Sequence, residues 1–272
     1  VASILSEHKG KFRFLLDSGA FTAWRSKKPI ALDSYCNFLD TLRGKSFEPW
    51  RYFMLDVIYR PVETEANYRA MRARGYDPIP VFTPGSSWEQ FDYYYSQTDL
   101  LACGGLANKY DPASQQWLAA VMKRADRRKM HLLGYTSPTW LKFHKPYSCD
   151  SSTWVNGNRY GAIHVYVGGG EFRIITKDSA FKGLKPEHKQ AIERLGFDPY
   201  LLQRKENWGG KANVAQQINT ASFVLGAAQY EARLGVKMFL ATGRAQIAEL
   251  FAAYDRLEAQ RLLPKCTSET TD

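Results

Sequence analysis

Phe14-Leu-Leu-Asp-Ser-Gly-Ala-Phe21 is an apolar run that ends abruptly in a carboxylate and a turn of small residues. It predicts a strand whose last residue, Asp17, stands at a rim. Ser18, Gly19 and Ala20 leave room for a ligand or a second backbone, and glycine permits a turn at positive φ. Taken alone, the triplet reads equally as an ordinary strand followed by a helix N-cap. The same pattern returns further along the chain. Tyr52-Phe-Met-Leu-Asp56 again ends in Asp, Leu100-Leu-Ala-Cys-Gly-Gly105 ends in a close-approach turn, and His131-Leu-Leu-Gly134 follows the same form.

Between these stretches lie helical patterns. A helix is expected from Asp33 to a stop at Gly44, and another from a cap at Thr64 to Gly75. After a strand Ile79–Phe82, Ser87-Trp-Glu-Gln90 has the form of a capping box. Asp111 with Pro112 opens the next helix. Strands alternating with helices argue for βαβ units and a parallel sheet. Because the carboxylates and glycines fall at strand C-termini, which a (β/α)8 barrel gathers on one face, a TIM-like α/β barrel is the expected fold. The second half is less regular: 162–167 and 171–176 read as strands joined by Gly168-Gly169-Gly170, a hairpin insertion or, less simply, a phosphate cradle. A long helix from about Asn213 to Leu234, a strand 236–240 and a helix through Ile247, Leu250, Phe251 and Leu257 restore the pattern. One domain over 1–266, followed by a polar tail 267–272, is the simplest organisation.

The 272 residues are 44% hydrophobic and 24% charged, enough for a sizeable core. No run approaches the ~18 apolar residues of a membrane span, and no signal-peptide apolar region opens the chain, so a cytoplasmic site is expected. Cys36, Cys103, Cys149 and Cys266 are scattered, which argues for reduced thiols and against a zinc knuckle. The five histidines are likewise dispersed, and no metal or cofactor is implied. The formal net charge of +10 points to a polyanionic partner, nucleic acid first, because clustered cations gain affinity from counterion release. A basic enzyme whose charge serves solubility is the alternative. The cations cluster at Lys9, Lys11 and Arg13; at Arg25, Lys27 and Lys28; at Lys123, Arg124, Arg127, Arg128 and Lys129; and at Arg204, Lys205 and Lys211. The third cluster also suits a helix C-terminus, and Trp208-Gly-Gly-Lys211 before a helix suits a DNA phosphate.

The series Asp17-Ser-Gly-Ala-Phe21, Asp56, Gly104-Gly-Leu-Ala107, His131-Leu-Leu-Gly134 and Asp150-Ser-Ser-Thr-Trp154 resembles the tRNA-guanine transglycosylase superfamily. It is most similar to the DNA-acting branch, the DpdA-type deazapurine transglycosylases of bacteria and phages. The resemblance covers residues 12–154. It departs from the tRNA enzymes in two places: their Cys3His zinc site has no counterpart, since only Cys266 follows Asp150, and the Gln ending their first motif is Thr22 here.

The resemblance implies exchange of guanine in DNA for a 7-deazaguanine such as preQ0, by a retaining mechanism. Cleavage of an N-glycosidic bond with retention needs one carboxylate as nucleophile and another to carry protons. By resemblance Asp150 is the nucleophile and Asp17 the general acid/base. Asp56 accepts from the guanine N1–H and amino group, with Ser18 beside it, and the backbone N–H groups of Gly104, Gly105 and Leu106 serve the base carbonyl. Arg25, Lys27, Lys28 and Lys211 are the expected DNA contacts. Tyr135 and Trp154 are candidates to stack on an extruded base or to pack in the core, and one of Tyr93, Tyr94 and Tyr95 is a candidate partner contact. Asp150 also reads as a turn cap and Asp56 as a partner of Arg60. The same chemistry on tRNA, and an inactive nucleic-acid-binding barrel, are the alternatives.

Overall fold

A computed structural model describes residues 11–45, 47–106, 111–156, 160–209, 213–243 and 246–264. It is a mixed α/β protein whose contacts divide it into two compact units, residues 1–135 with 146–149 and residues 136–145 with 150–272.

In the first unit, strand β1 (Leu15–Leu16) pairs in parallel with β2 (Arg51–Tyr52). A parallel bridge between Phe53 and Ile79 carries the pairing on toward β3 (Val81–Phe82). Then β3 pairs with β4 (Leu100–Cys103), β4 with β5 (Lys129–Leu132), and β5 with the first half of β6 (Ser148–Ser151), all in parallel. Helices α1 (Ala20–Arg25), α2 (Leu32–Leu42), α3 (Pro61–Ala73), α4 (Trp88–Gln97) and α5 (Pro112–Ala125) link the strands. The near-continuous apolar strands β3 and β4 are buried along their whole length, as parallel strands covered on both faces must be. Phe82 sits between Trp117 and Phe91, with ring centroids 5.8 and 5.1 Å away, and anchors α4 and α5 to the sheet.

Local chemistry sets several helix starts. Ser87 accepts from the Gln90 N–H and Asp111 from the Ser114 N–H, as expected. The Gln90 side chain, however, binds the Tyr94 hydroxyl and the Pro61 carbonyl instead of closing a capping box. Helix α3 starts at Pro61, ahead of the expected cap at Thr64, because proline suits the first helical turn. Thr64 Oγ1 instead accepts from the Val57 N–H at 2.9 Å and donates to the Val57 carbonyl at 3.2 Å, pinning the loop that follows Asp56. Helix α2 starts at Leu32 behind Ala31, and Asp33 pairs with Arg74 in place of capping.

The second unit holds the end of β6, helices α6 (Pro138–His144), α7 (Thr153–Asn156), α8 (Lys177–Lys182) and α9 (Pro186–Arg194), the hairpin β7 (Ala162–Gly168) with β8 (Glu171–Thr176), the long helix α10 (Val214–Leu234), strand β9 (Lys237–Leu240) and helix α11 (Ile247–Ala259). The hairpin expected around the glycine triplet is present and antiparallel. Its Gly170 carbonyl accepts from the Tyr230 hydroxyl at 2.7 Å, so the turn is clamped onto α10. The buried polar face of α10 has a purpose: Asn219 Oδ1 and Ser222 Oγ accept from the His164 and Tyr166 N–H groups on the unpaired edge of β7. Ile163, Val165, Ile175, Ile192, Leu202 and Ile218 belong to the surrounding core. In the five-stranded sheet β9 follows β6, giving the order β3-β4-β5-β6-β9. No helix among the described residues is long and apolar enough to cross a membrane.

Candidate functional site

The first unit brings together three of the expected site residues. Asp17 follows β1 directly and Asp56 lies in the segment that continues β2, so both stand at the C-terminal ends of neighbouring parallel strands. Gly19, at φ +77, makes the left-handed turn into α1 that a side chain would strain. That turn tucks Ser18 inward: its hydroxyl donates to Asp56 Oδ1 at 3.2 Å and accepts from the Ala20 N–H at 3.3 Å. Asp17 is exposed, Ser18 buried and Asp56 half-buried.

The electrostatics follow from that placement. Burial pushes the Asp56 carboxyl up from 3.8 to about 6, and the Asp17 charge adds to the rise, against the lowering effect of the Ser18 hydrogen bond. Burial also pushes the nearby Tyr35 phenol up, again with Asp17 and Asp56 contributing. Tyr35 donates to the Phe53 carbonyl at 2.6 Å, which fixes the strand segment leading to Asp56. Arg60 does not neutralise Asp56; it pairs with Glu63 on the first turn of α3. Asp56 is therefore a carboxylate that burial disfavours, held in place by the Ser18 hydroxyl and a hydrogen bond to its own backbone.

The glycine motif divides its donors. A Cβ on Gly104 would lie 3.1 Å from Val81 Cγ1, and its N–H donates to the Phe82 carbonyl at 2.9 Å, so Gly104 serves the sheet. Gly105, at φ +77 with a hypothetical Cβ 2.9 Å from Pro84 Cδ, is a turn that only glycine fits. Among the described residues the N–H groups of Gly105 and Leu106 carry no such ladder bond. His131, expected only as a motif residue, is fully buried, 2.8 Å from Ser148 Oγ through Nδ1 and 5.1 Å from the Phe53 ring.

Asp150 lies in the second unit, half-buried on β6. The motif around it is rigidly held. Ser151 accepts at its carbonyl from the Ala241 N–H, and the Trp154 indole donates to the Ala241 carbonyl at 2.8 Å. Asn219 and Gln216 both donate to the Trp154 carbonyl. Trp154 and Tyr135 are buried in the core and present no face to a base, so the stacking role considered for them is replaced by packing.

Sequence reasoning missed an aromatic group beside the carboxylates. Phe21 and Trp24 on α1 and Tyr59 in the loop after Asp56 are 52%, 47% and 66% exposed, although large rings are usually covered. Trp24 lies 5.8 Å from Phe21 and 5.5 Å from Tyr59, centroid to centroid. The signal was available in that Phe21 and Tyr59 fall within four residues of an Asp singled out above, and Trp24 lies one helical turn beyond Phe21. The tyrosine run considered instead is occupied: Tyr94 is buried, Tyr95 donates to the Lys129 carbonyl, and Tyr93 lies under Arg69.

The basic clusters separate in the same way. Arg124 pairs with Asp92, Lys129 with Asp99, and Arg128 bonds helix carbonyls while lying over Tyr95. Arg25, Lys27 and Lys28 are exposed and make no ion pair among the described residues. Lys9, Lys211 and Cys266 lie outside the described residues. No group of three or more His, Cys, Asp or Glu among the described residues is arranged to hold a metal ion. Comparison with family models, with curated proteins and with solved structures found no match to this chain.

Proposed function

We propose that this protein is a base-exchanging transglycosylase that replaces guanine in DNA with a 7-deazaguanine of the preQ0 kind. The observation that carries the proposal is the Asp17–Ser18–Asp56 arrangement at adjacent strand ends, with Asp56 desolvated and without a cationic partner among the described residues. A desolvated carboxylate oxygen can still accept further hydrogen bonds, and guanine offers two donors side by side, N1–H and the 2-amino group. A 7-deazaguanine keeps both donors and differs at position 7, so one acceptor serves the leaving and the incoming base.

The motif assigns Asp150 as nucleophile. Its carboxylate oxygen bonds to C1′ as the C1′–N9 bond breaks, the electron pair passing to N9 of guanine and a proton from Asp17 neutralising the departing base. The incoming base gives its N9 proton to Asp17, and its N9 displaces the Asp150 carboxylate from C1′. Two inversions retain configuration. Among the described strands the five-stranded sheet runs β3-β4-β5-β6-β9 in chain order without reversal, which supports reading it as part of a (β/α)8 barrel, since doubly wound sheets reverse direction at a switch point.

Incubation of DNA and of tRNA, separately, with labelled guanine and with preQ0, followed by mass spectrometry of the nucleosides, tests the proposal. Label and preQ0 entering DNA is the expected result. Entry into tRNA alone moves the activity to tRNA, and entry into neither removes it.

A further inference from the structure

We infer that Trp24 and Tyr59, with Arg25, Lys27 and Lys28, form a platform that binds an unpaired, single-stranded segment of DNA through its bases and phosphates. The choice of DNA over RNA rests on the function proposed above; the platform itself rests on the surface.

Three features of the first unit converge there. Trp24 and Tyr59 meet edge to face at 77°, and Phe21 also packs on Trp24, tilted by 31°. Every base has a face that stacks on such rings, so the surface suits a strand of any sequence. Tyr59 holds this position at φ +62, a backbone conformation that side chains rarely adopt, so the exposed ring is set out against the preference of its backbone.

The cations beside the rings are available. Helix α1 closes with the Lys28 N–H bonded to the Ala23 carbonyl at 2.9 Å and the Lys27 N–H to the Trp24 carbonyl at 3.1 Å, the pairing that normally places glycine in the left-handed position. Lys27 occupies that position at φ +55. The turn carries Lys27 and Lys28 beyond the helix end, where neither meets a carboxylate among the described residues. A groove of about 660 Å³ is lined by Ala23, Trp24, Arg25, Lys27 and Pro29, so its lining joins an aromatic ring and aliphatic carbon to two cationic residues. A nucleotide offers a partner to each, its base to the ring and its phosphate to the cations. A protein segment docking on exposed rings would not need three cations that meet no carboxylate among the described residues, and a duplex would keep its base faces inside the stack.

The test is fluorescence anisotropy of labelled oligo(dT), which contains no guanine and so reports binding without exchange. An abasic strand, an oligo(dT)–oligo(dA) duplex, oligo(U) and an acidic peptide serve as competitors. Trp24→Ala and Tyr59→Ala should each weaken oligo(dT) binding about tenfold, within the range for loss of base stacking, and Trp24→Phe should retain most of it. Both alanine variants should lose the preference for oligo(dT) over the abasic strand. Lys27→Gln should lower the salt slope by about 0.7.

Unchanged oligo(dT) affinity in both alanine variants overturns the platform, as does a wild type that prefers the duplex or the acidic peptide, and a wild type that prefers oligo(U) overturns the choice of DNA. The two readings fail separately. Oligo(dT) binding with no base exchange leaves the platform standing without the enzyme, and exchange with no oligo(dT) binding does the reverse.

Discussion

Replacing Asp56 by asparagine should make the protein more stable at pH 8 and leave it almost unchanged at pH 4. The folded state raises this carboxyl from 3.8 to about 6, chiefly by burial. At ~1.4 kcal/mol per pH unit, that gap is worth about 3 kcal/mol. The sign follows from proton linkage. The folded protein holds the Asp56 proton more tightly than the unfolded chain, so the associated stability is fully present below about pH 3.8 and is lost as pH rises through about 6. Above that window the wild type carries a carboxylate in a place that disfavours charge. Asparagine cannot ionise, yet it keeps an oxygen to accept from the Ser18 hydroxyl. Water reaching the half-buried side chain trims the expected gain at pH 8 to about 2 kcal/mol. Urea unfolding of both proteins at pH 4, 6 and 8 measures it, and the difference between them removes the common titration of other carboxylates. A difference that does not change with pH, or a variant less stable at pH 8, would refute burial as the cause of the shift. The same variant should bind the free base poorly, because an amide offers one acceptor where two donors arrive, so that stability rises as function falls.

Asp150→Asn should give no covalent enzyme–DNA adduct on a denaturing gel, whereas Asp17→Asn should slow exchange by about 10²- to 10⁴-fold and still permit slow adduct formation. The opposite pattern would mean the two roles are reversed. Lys27→Gly should relieve the left-handed strain at φ +55 and raise stability by about 0.5–1 kcal/mol after the added freedom of the unfolded chain, while weakening oligo(dT) binding. A lower urea midpoint for this variant would show that the lysine turn is not strained. Gly226→Ala should lower stability by about 1–2 kcal/mol, because its Cβ would enter the Phe172 ring, which lies 5.2 Å from Tyr166 and 4.9 Å from Phe223. Overpacking of ~1–3 kcal/mol then outweighs the ~1 kcal/mol gain in helix propensity; a raised thermal midpoint would show that the ring swings aside.

Short-range chemistry was legible directly in the chain. Ser87, Asp111 and Asn213 start helices because each side-chain oxygen reaches an N–H three residues ahead, an interaction that needs no distant partner. The hairpin around Gly168–Gly170 and the carboxylates placed after β1 and β2 were readable for the same reason: turns and strand ends are written in adjacent residues. Helices α6, α8 and α9 went unread, being short and following no sustained apolar period. What distant neighbours do to a residue was not in the sequence pattern. Trp154 became an anchor because Ala241, Asn219 and Gln216 converge on it from 62 to 87 residues away. Arg124 and Lys129 were removed from the nucleic-acid surface by Asp92 and Asp99, about thirty residues back, while Arg25, Lys27 and Lys28 met no such partner among the described residues. Residue type and spacing determine which groups are present and where helices and turns begin. Tertiary structure decides which of those groups are consumed by one another, because burial and pairing depend on through-space distance, and only the remainder faces a ligand.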